Sequence, residues 1–530
     1  MATSYISKKL TFNTAEQFKE SFSEFTPTVG YVFLGNHLPY SNEDSPDNIS
    51  DTVGEEKTIW DNIYAAKRVT GNDVELVVPR YNWQTNKVYR HYDDLQSLDS
   101  LTTPNTNVTL SGIGGHYEED GNNSPMYVIN SEKNVYLCIS NDLNANSTIE
   151  PTGKNLSSNG NIATADGYIW KYLYNVRASN KFLTDNWIPA PTSVAKLDYD
   201  TSSLISVEGE LAYIEVMNTG SGYVHSNVSV GHYTSGTNVL TLANTNNVAV
   251  NMLVAGLGIP GDTYITGIDT VNLKITLSAN TTANGGSTGN TLSLTTRVVV
   301  TGDGIGVVPV ARLNANTGID KIILNTYGRG YTKTNISIYG TGTGANVRAV
   351  LPPKFGHGYN AAKQLNATNV MVAVKIGEID STENGIISTD TSFRQYGLLR
   401  DPYKYGTTIP ANTNSANSVI SQTTDLTIIS GATYNLDEFV YQGDSPSSAT
   451  FSGYVNSQNA NIVRLTKVVG TPIVGGPLKG ISTNPTGRAV VIVKNPEFQP
   501  YTGDILYVEN ITKVERTDGQ AESIKFVVRF

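Results

Sequence analysis

Asn325-Thr326-Tyr327-Gly328-Arg329-Gly330-Tyr331 leads into Asn335-Ile336-Ser337-Ile338 and then at once into Gly340-Thr341-Gly342-Thr343-Gly344. The same words stand earlier as Asn218-Thr219-Gly220-Ser221-Gly222-Tyr223 followed by Asn227-Val228-Ser229-Val230. There the glycine run is delayed to Gly302-Asp303-Gly304-Ile305-Gly306, ahead of the apolar stretch Val307 to Leu313. Alternating polar and apolar residues broken by glycine punctuation read as short strands joined by turns. The economical reading is one β-module present twice, with an insertion at 234–297 inside the first copy. That insertion carries its own alternating stretches, Thr237 to Leu242 and Leu273 to Leu277, around the turn Gly258-Ile259-Pro260-Gly261-Asp262. A comparable stretch at 436–497 sets Glu438 to Tyr441, Ala449 to Val455, Ile462 to Val469 and Ala489 to Val493 between turns at Gly475-Gly476 and Gly480.

Working outward, the expected fold is mainly β with a few α-helices: a multi-layer β-sandwich core carrying inserted small β-domains. The expected divisions are 1–212, the first part of the core; 213–233 with 298–351, the duplicated glycine-rich module; and 234–297, the inserted small β-domain. Then follow 352–435, the core continued; 436–497, a second inserted module; and 498–530, closing core strands. Charged residues are only 16% of the chain, and Asn, Thr, Ser and Gly, which favour turns and strand edges, take their place. The 30 tyrosines and 13 phenylalanines supply enough surface to bury, which excludes a disordered chain. Helices are expected near the start. Thr14 with Gln17 reads as a capping box ahead of the Phe18/Phe22 pair, and Glu56 to Val69 places Trp60, Ile63 and Ala66 on one helical face.

The net charge of −10, with no basic stripe, argues against nucleic acid as a partner. No apolar stretch is long enough for membrane insertion and no secretory leader is read at the start, so synthesis in the cytoplasm is expected. Cys138 is the single cysteine; no intramolecular disulfide forms, and its run Val135-Tyr136-Leu137-Cys138-Ile139 reads as core. The six histidines (His37, His91, His116, His225, His232 and His357) show no metal-binding spacing, and His357, between glycines, reads as a turn residue satisfied by backbone groups. The two glycine runs lack the spacing and the following helix that phosphate binding needs. No nucleophile elbow is present. The acidic loop Asn42 to Asp47 lacks the ligand order of a calcium hand and reads as solvated. No cofactor, metal ligand or catalytic residue is expected, and the chain reads as no enzyme.

Further segments carry a resemblance. They are Tyr31-Val32-Phe33-Leu34-Gly35 with Leu38-Pro39-Tyr40-Ser41-Asn42-Glu43; Ile59-Trp60 and Val77-Val78-Pro79-Arg80-Tyr81-Asn82-Trp83; Asp166-Gly167-Tyr168-Ile169-Trp170-Lys171-Tyr172-Leu173; Phe393-Arg394-Gln395; and Gly503-Asp504-Ile505-Leu506-Tyr507-Val508-Glu509-Asn510. In this order they resemble the baseplate wedge protein of T-even-like contractile-tail phages, the gene product eight family. The resemblance covers about residues 1 to 205, parts of 360 to 402, and 498 to 530, and leaves the duplicated module and both inserted stretches uncovered.

What the resemblance implies is a structural subunit of the virion's tail baseplate, paired with itself as a homodimer and held by the other wedge proteins. It would take part in baseplate assembly and in its rearrangement on host contact. The residues that carry it are Trp60, Pro79, Arg80, Trp83, Asp166, Gly167, Tyr168, Trp170, Phe393, Arg394, Gln395, Tyr507, Glu509 and Asn510. Trp60, Trp83 and Trp170 are either interface anchors or core packing, and their apolar surroundings favour packing. The alternative function is a host-adhesion protein whose Thr/Asn/Gly-rich modules bind glycans. A polysaccharide-cleaving β-helix would need many regular coils, and only two copies of one motif are present.

Overall fold

The computed structural model describes residues 8–24, 29–95, 125–155, 159–192, 205–286, 290–377, 379–380, 385–386, 391–411, 419–517 and 520–530. The chain is mainly β with a few helices, and it divides into two units, Met1–Val77 with Ala367–Phe530, and Val78–Asn366. His116 lies outside the described residues.

The first unit is built on a five-stranded antiparallel sheet in the order Val419–Ser421, Ile63–Val69, Gly30–Gly35, Thr391–Arg400, Asp504–Arg516. Gly30–Gly35 is buried at every position, as a central strand covered on both faces must be. Tyr31, Phe33, Trp60, Ile63, Leu399 and Phe498 form its core. The helix expected over Glu56 to Val69 is Val53–Asn62 only, capped by the Thr52 side chain, and Ile63–Val69 is a strand. Spacing of three suits Trp60, Ile63 and Ala66 to a helix. Their actual shared core is reached by the end of a helix followed by a strand, because Ile63, Tyr64 and Val69 are better strand residues and Gly30–Gly35 offers the pairing. The first helix also begins earlier than Thr14: it spans Lys8–Ser21, and the Thr14 hydroxyl bonds back to the Leu10 carbonyl at 3.0 Å.

Thr424–Ile428, Ile462–Gly470, Phe451–Asn459, Phe439–Gln442, Pro477–Gly480 and Arg488–Lys494 close into a six-stranded barrel in this unit. Closure leaves no unpaired edge, and the interior is filled by Leu426, Val440, Phe451, Val463, Leu465 and Leu478. The closing strand, Thr424–Ile428, lies before the stretch 436–497. Glu438 is buried at the barrel end, where its carboxylate accepts from the N–H groups of Asn435, Ser482 and Thr483 and from the Thr483 hydroxyl. Burial by itself raises its proton affinity; those donors outweigh burial and hold the carboxyl below its ordinary value. A depressed carboxyl contributes stability present above its unfolded value and lost as pH falls through the folded one. Glu438→Gln is therefore expected to destabilise the barrel by about 2 kcal/mol at neutral pH and progressively less in acid. Denaturant titrations at several pH values check this, and a pH-independent difference would contradict it.

In the second unit, Tyr127–Ile129, Asn134–Ser140, Ile169–Asn175 and Asn161–Ala163 form a four-stranded sheet. The glycine-rich words build a module in which the two copies exchange strands. The first strand of the early copy, Tyr213–Ser221, pairs with the last of the late copy, Thr343–Val350. The first strand of the late copy, Ile319–Arg329, pairs with the last of the early copy, Ile305–Leu313. Ile214 faces Ile322 where the halves meet, and Arg297–Gly302 pairs with Thr334–Tyr339, so an approximate two-fold axis relates the copies. The exchange repeats in detail: Tyr223 N–H bonds the Thr317 carbonyl at 2.9 Å, and Tyr331 N–H bonds the Gly209 carbonyl at 3.1 Å. Both glycine runs lead into strands.

Glycine is required where the copies touch. A Cβ on Gly304 would collide with the Tyr331 ring, and a Cβ on Gly342 with the Tyr223 ring. Gly304→Ala and Gly342→Ala are each expected to cost about 1–3 kcal/mol through overpacking, and by the two-fold relation nearly the same amount. Equilibrium unfolding of both variants measures this, and a large inequality would contradict the symmetry argument.

The strand holding the place of Thr334–Tyr339 in the early copy is Arg297–Gly302, beyond the insertion. Val228 and Val230 instead pack in the insertion's own core with Leu240, Val254, Ile275 and Leu292. Two three-stranded sheets enclose that core.

Candidate functional site

The residues singled out in the sequence gather into two sets, one in each unit. In the first unit, Phe393, Arg394 and Gln395 lie on Thr391–Arg400, and Tyr507, Glu509 and Asn510 on the adjacent Asp504–Arg516. The register sets Gln395 opposite Asn510 and Leu398 opposite Tyr507, with an irregularity between Phe393 and Gln395. Such an irregularity re-aims a side chain. Arg394 is buried, and its Nε lies 2.9 Å from both Glu43 oxygens, while its Nη1 donates to the His37 carbonyl and to Ser392 Oγ at 3.1 Å. The Arg394 bond is the largest cause holding the Glu43 carboxyl below its ordinary value. Tyr40 OH closes the contact by donating to the Arg394 carbonyl at 2.8 Å. Gln395 Nε2 donates to Asn510 Oδ1, and Asn510 Nδ2 to the Asp47 carbonyl, each at 2.8 Å. The loop His37 to Asp47 is thus clamped at both ends, and Glu43 is engaged by arginine rather than solvated. Beside it, Tyr396 OH and Tyr507 OH both donate to Glu509 Oε2 at 2.5 Å.

In the second unit, the Pro79 carbonyl accepts from Tyr127 OH at 2.7 Å, and Arg80 donates to Asn82 Oδ1 at 2.9 Å and the Thr184 carbonyl at 2.8 Å. Trp83 Nε1 donates to Ser147 Oγ at 3.1 Å. Asp166 gathers the N–H groups of Thr148 and Ile149 at 2.7 and 3.0 Å, with the Thr164 hydroxyl. Burial raises this carboxyl, and the donors outweigh burial, so it stays below its ordinary value. Gly167 turns the chain at a φ of 88°, and its carbonyl accepts from Lys321 Nζ at 2.9 Å. Tyr168 stacks on Trp170, with 5.5 Å between centroids, and Tyr89 meets the same indole edge-on at 5.3 Å. Trp60 and Trp170 are buried within the chain's own cores, while Trp83 is half-buried.

Sequence reasoning missed two features. Asp437 Oδ1, His37 and Thr466 Oγ1 form a relay, 2.6 Å at Nδ1 and 2.6 Å at Nε2, resembling a hydrolase triad in its bonding. Thr466 is 3% exposed, so a substrate carbonyl has no approach to it, and the relay pins the loop at His37 to the barrel. The second is His357: its ring is buried and bonded by the Gln364 side chain at 2.7 Å, not by backbone groups as its turn position suggested. Among the described residues no group of three or more His, Cys, Asp or Glu is placed to hold a metal ion, and no helix is long and apolar enough to cross a membrane. Cys138 is buried, and burial pushes its thiol well up, away from reactive thiolate.

Comparison with known protein families and with curated proteins finds no match.

Proposed function

We propose that this chain is a structural subunit of a contractile-tail baseplate, related to the gene product eight wedge proteins. The observation that carries the reading is convergence. Leu38 to Glu43, Phe393-Arg394-Gln395 and Tyr507 to Asn510, far apart in sequence, are joined by the Arg394–Glu43, Tyr40–Arg394 and Gln395–Asn510 bonds. Residues that carry one resemblance and also bond one another point to a shared scaffold, since chance matches have no reason to meet. Their chemistry is that of a clamp: buried guanidinium, paired amides and backbone carbonyls that hold a loop rigid. In this role the chain pairs with itself and with neighbouring wedge proteins and moves mainly as rigid bodies when the baseplate rearranges.

Electron cryomicroscopy of intact virions at side-chain detail tests the proposal. Density for this chain inside the baseplate ring, paired with a second copy, is the expected result. Density at the outer rim with the inserted modules facing the host would favour glycan adhesion, and absence from the tail would end the proposal.

A further inference from the structure

Gln364 decides the chemistry of His357. Its Oε1 accepts the Gly358 N–H at 2.9 Å, which orients the amide so that its Nε2 donates to His357 Nδ1 at 2.7 Å. The ring nitrogen facing Gln364 is therefore an acceptor, and the ring proton sits on Nε2, which is buried without a partner among the described residues. A second proton has one place to go, Nδ1, where it meets the amide donor. Tyr92 packs edge-on against the ring at 4.6 Å, and its hydroxyl is turned away to the Leu351 carbonyl at 3.1 Å. The charged group acting on the ring is Lys171, itself paired to Glu210 at 2.5 Å.

We propose that His357 is an acid-released pin, docked only as the neutral Nε2–H tautomer, which frees the segment Pro352 to Gln364 behind the glycine-rich module when the opened ring takes a proton. The segment follows directly on Thr343–Val350, the exchanged last strand, so its release loosens the module's exit. Burial, and then Lys171, hold the docked imidazole well below its ordinary 6.5. Such a group contributes stability that is present above 6.5 and lost as pH falls through the docked value. Glu210, raised by burial, has the opposite sign and favours the docked form on protonation, so it does not drive acid release. This inference stands apart from the tail reading.

Amide hydrogen exchange of the full-length chain, corrected for the intrinsic pH dependence of exchange, tests it. With 6.5 as the open-state value, opening of the segment is expected to rise by up to roughly thirtyfold by about pH 5. His357→Gln is expected to abolish that rise. Gln364→Glu places a carboxylate on Nδ1, which welcomes the second proton, and is expected to shrink the rise to a few-fold or less even if the first variant folds poorly. No pH-dependent opening in the natural chain, its persistence in His357→Gln, or an unchanged rise in Gln364→Glu would each overturn the proposal.

Discussion

Lys171→Ala is expected to destabilise the Val78–Asn366 unit by about 3–5 kcal/mol, because it leaves Glu210 as an unpaired carboxyl in a dry interior. Both side chains are buried, their contact is 2.5 Å, and among the described residues the one further side-chain bond to Glu210 comes from Asn159 at 3.3 Å. Lys171 belongs to the four-stranded sheet, whereas Glu210 belongs to the module. Leu211 N–H bonds the Tyr327 carbonyl at 2.8 Å and Gly330 N–H the Glu208 carbonyl at 2.9 Å. The pair therefore ties two layers that no strand pairing among the described residues joins. Burial lowers the lysine and raises the carboxyl, each partner opposing that effect on the other, so the pair exists at a desolvation cost. It follows that Lys171→Met with Glu210→Leu should recover most of the loss, or exceed the natural stability. Trp83, Trp170 and Trp187 lie in this unit, so indole fluorescence during denaturant unfolding reports on it. A double variant as unstable as the single one would show that shape at this junction matters and charge pairing does not.

How far the fold was legible varies by element. The duplicated glycine words were visible because glycine at Gly304 and Gly342 answers a steric demand that any copy of the module must meet. The exchange of strands between copies was not visible. Two like copies satisfy the same alternating pattern whether each pairs with itself or with the other, and the Ile214–Ile322 contact that distinguishes these cases spans more than a hundred residues. Asn227 to Val230 resembled Asn335 to Ile338 in residue type, yet the burial of Val228 and Val230 in the insertion's core decided their place. In the barrel, Thr424–Ile428 was not read as a sixth strand because its partners, Ile462–Gly470 and Arg488–Lys494, lie far on in the middle and at the end of the later stretch. At the candidate site, the individual residues were legible and their bonds were not. Arg394 and Glu43 lie 351 residues apart with the whole second unit between them in sequence, and a guanidinium's partner is set by a local irregularity in strand pairing. His357 was noticed for its flanking glycines, but its partner Gln364 lies on the next short helix, Ala361–Gln364.

Trp170→Ala is expected to cost about 3–5 kcal/mol, and Trp170→Phe distinctly less, because the indole fills the centre of the second unit's aromatic core. It packs between Tyr168 and Tyr89 with Val128, Tyr136, Cys138 and Ile205 around it, and its Nε1–H is buried without a partner among the described residues. Phenylalanine keeps much of the stacked area and removes that orphaned donor, which offsets part of the lost volume. Alanine leaves a cavity that the flanking strands cannot close, since Asn134–Ser140 and Ile169–Asn175 are paired along their length. The same pair of variants separates packing from interface anchoring. If Trp170 acts through the core, both variants assemble normally wherever they remain folded, and their losses follow their unfolding free energies. If it anchored a partner, Trp170→Phe would fold with near-natural stability yet fail to pair. Denaturant unfolding together with sedimentation of the purified chain distinguishes these outcomes, and the full burial of the indole within this chain sets the expectation on packing.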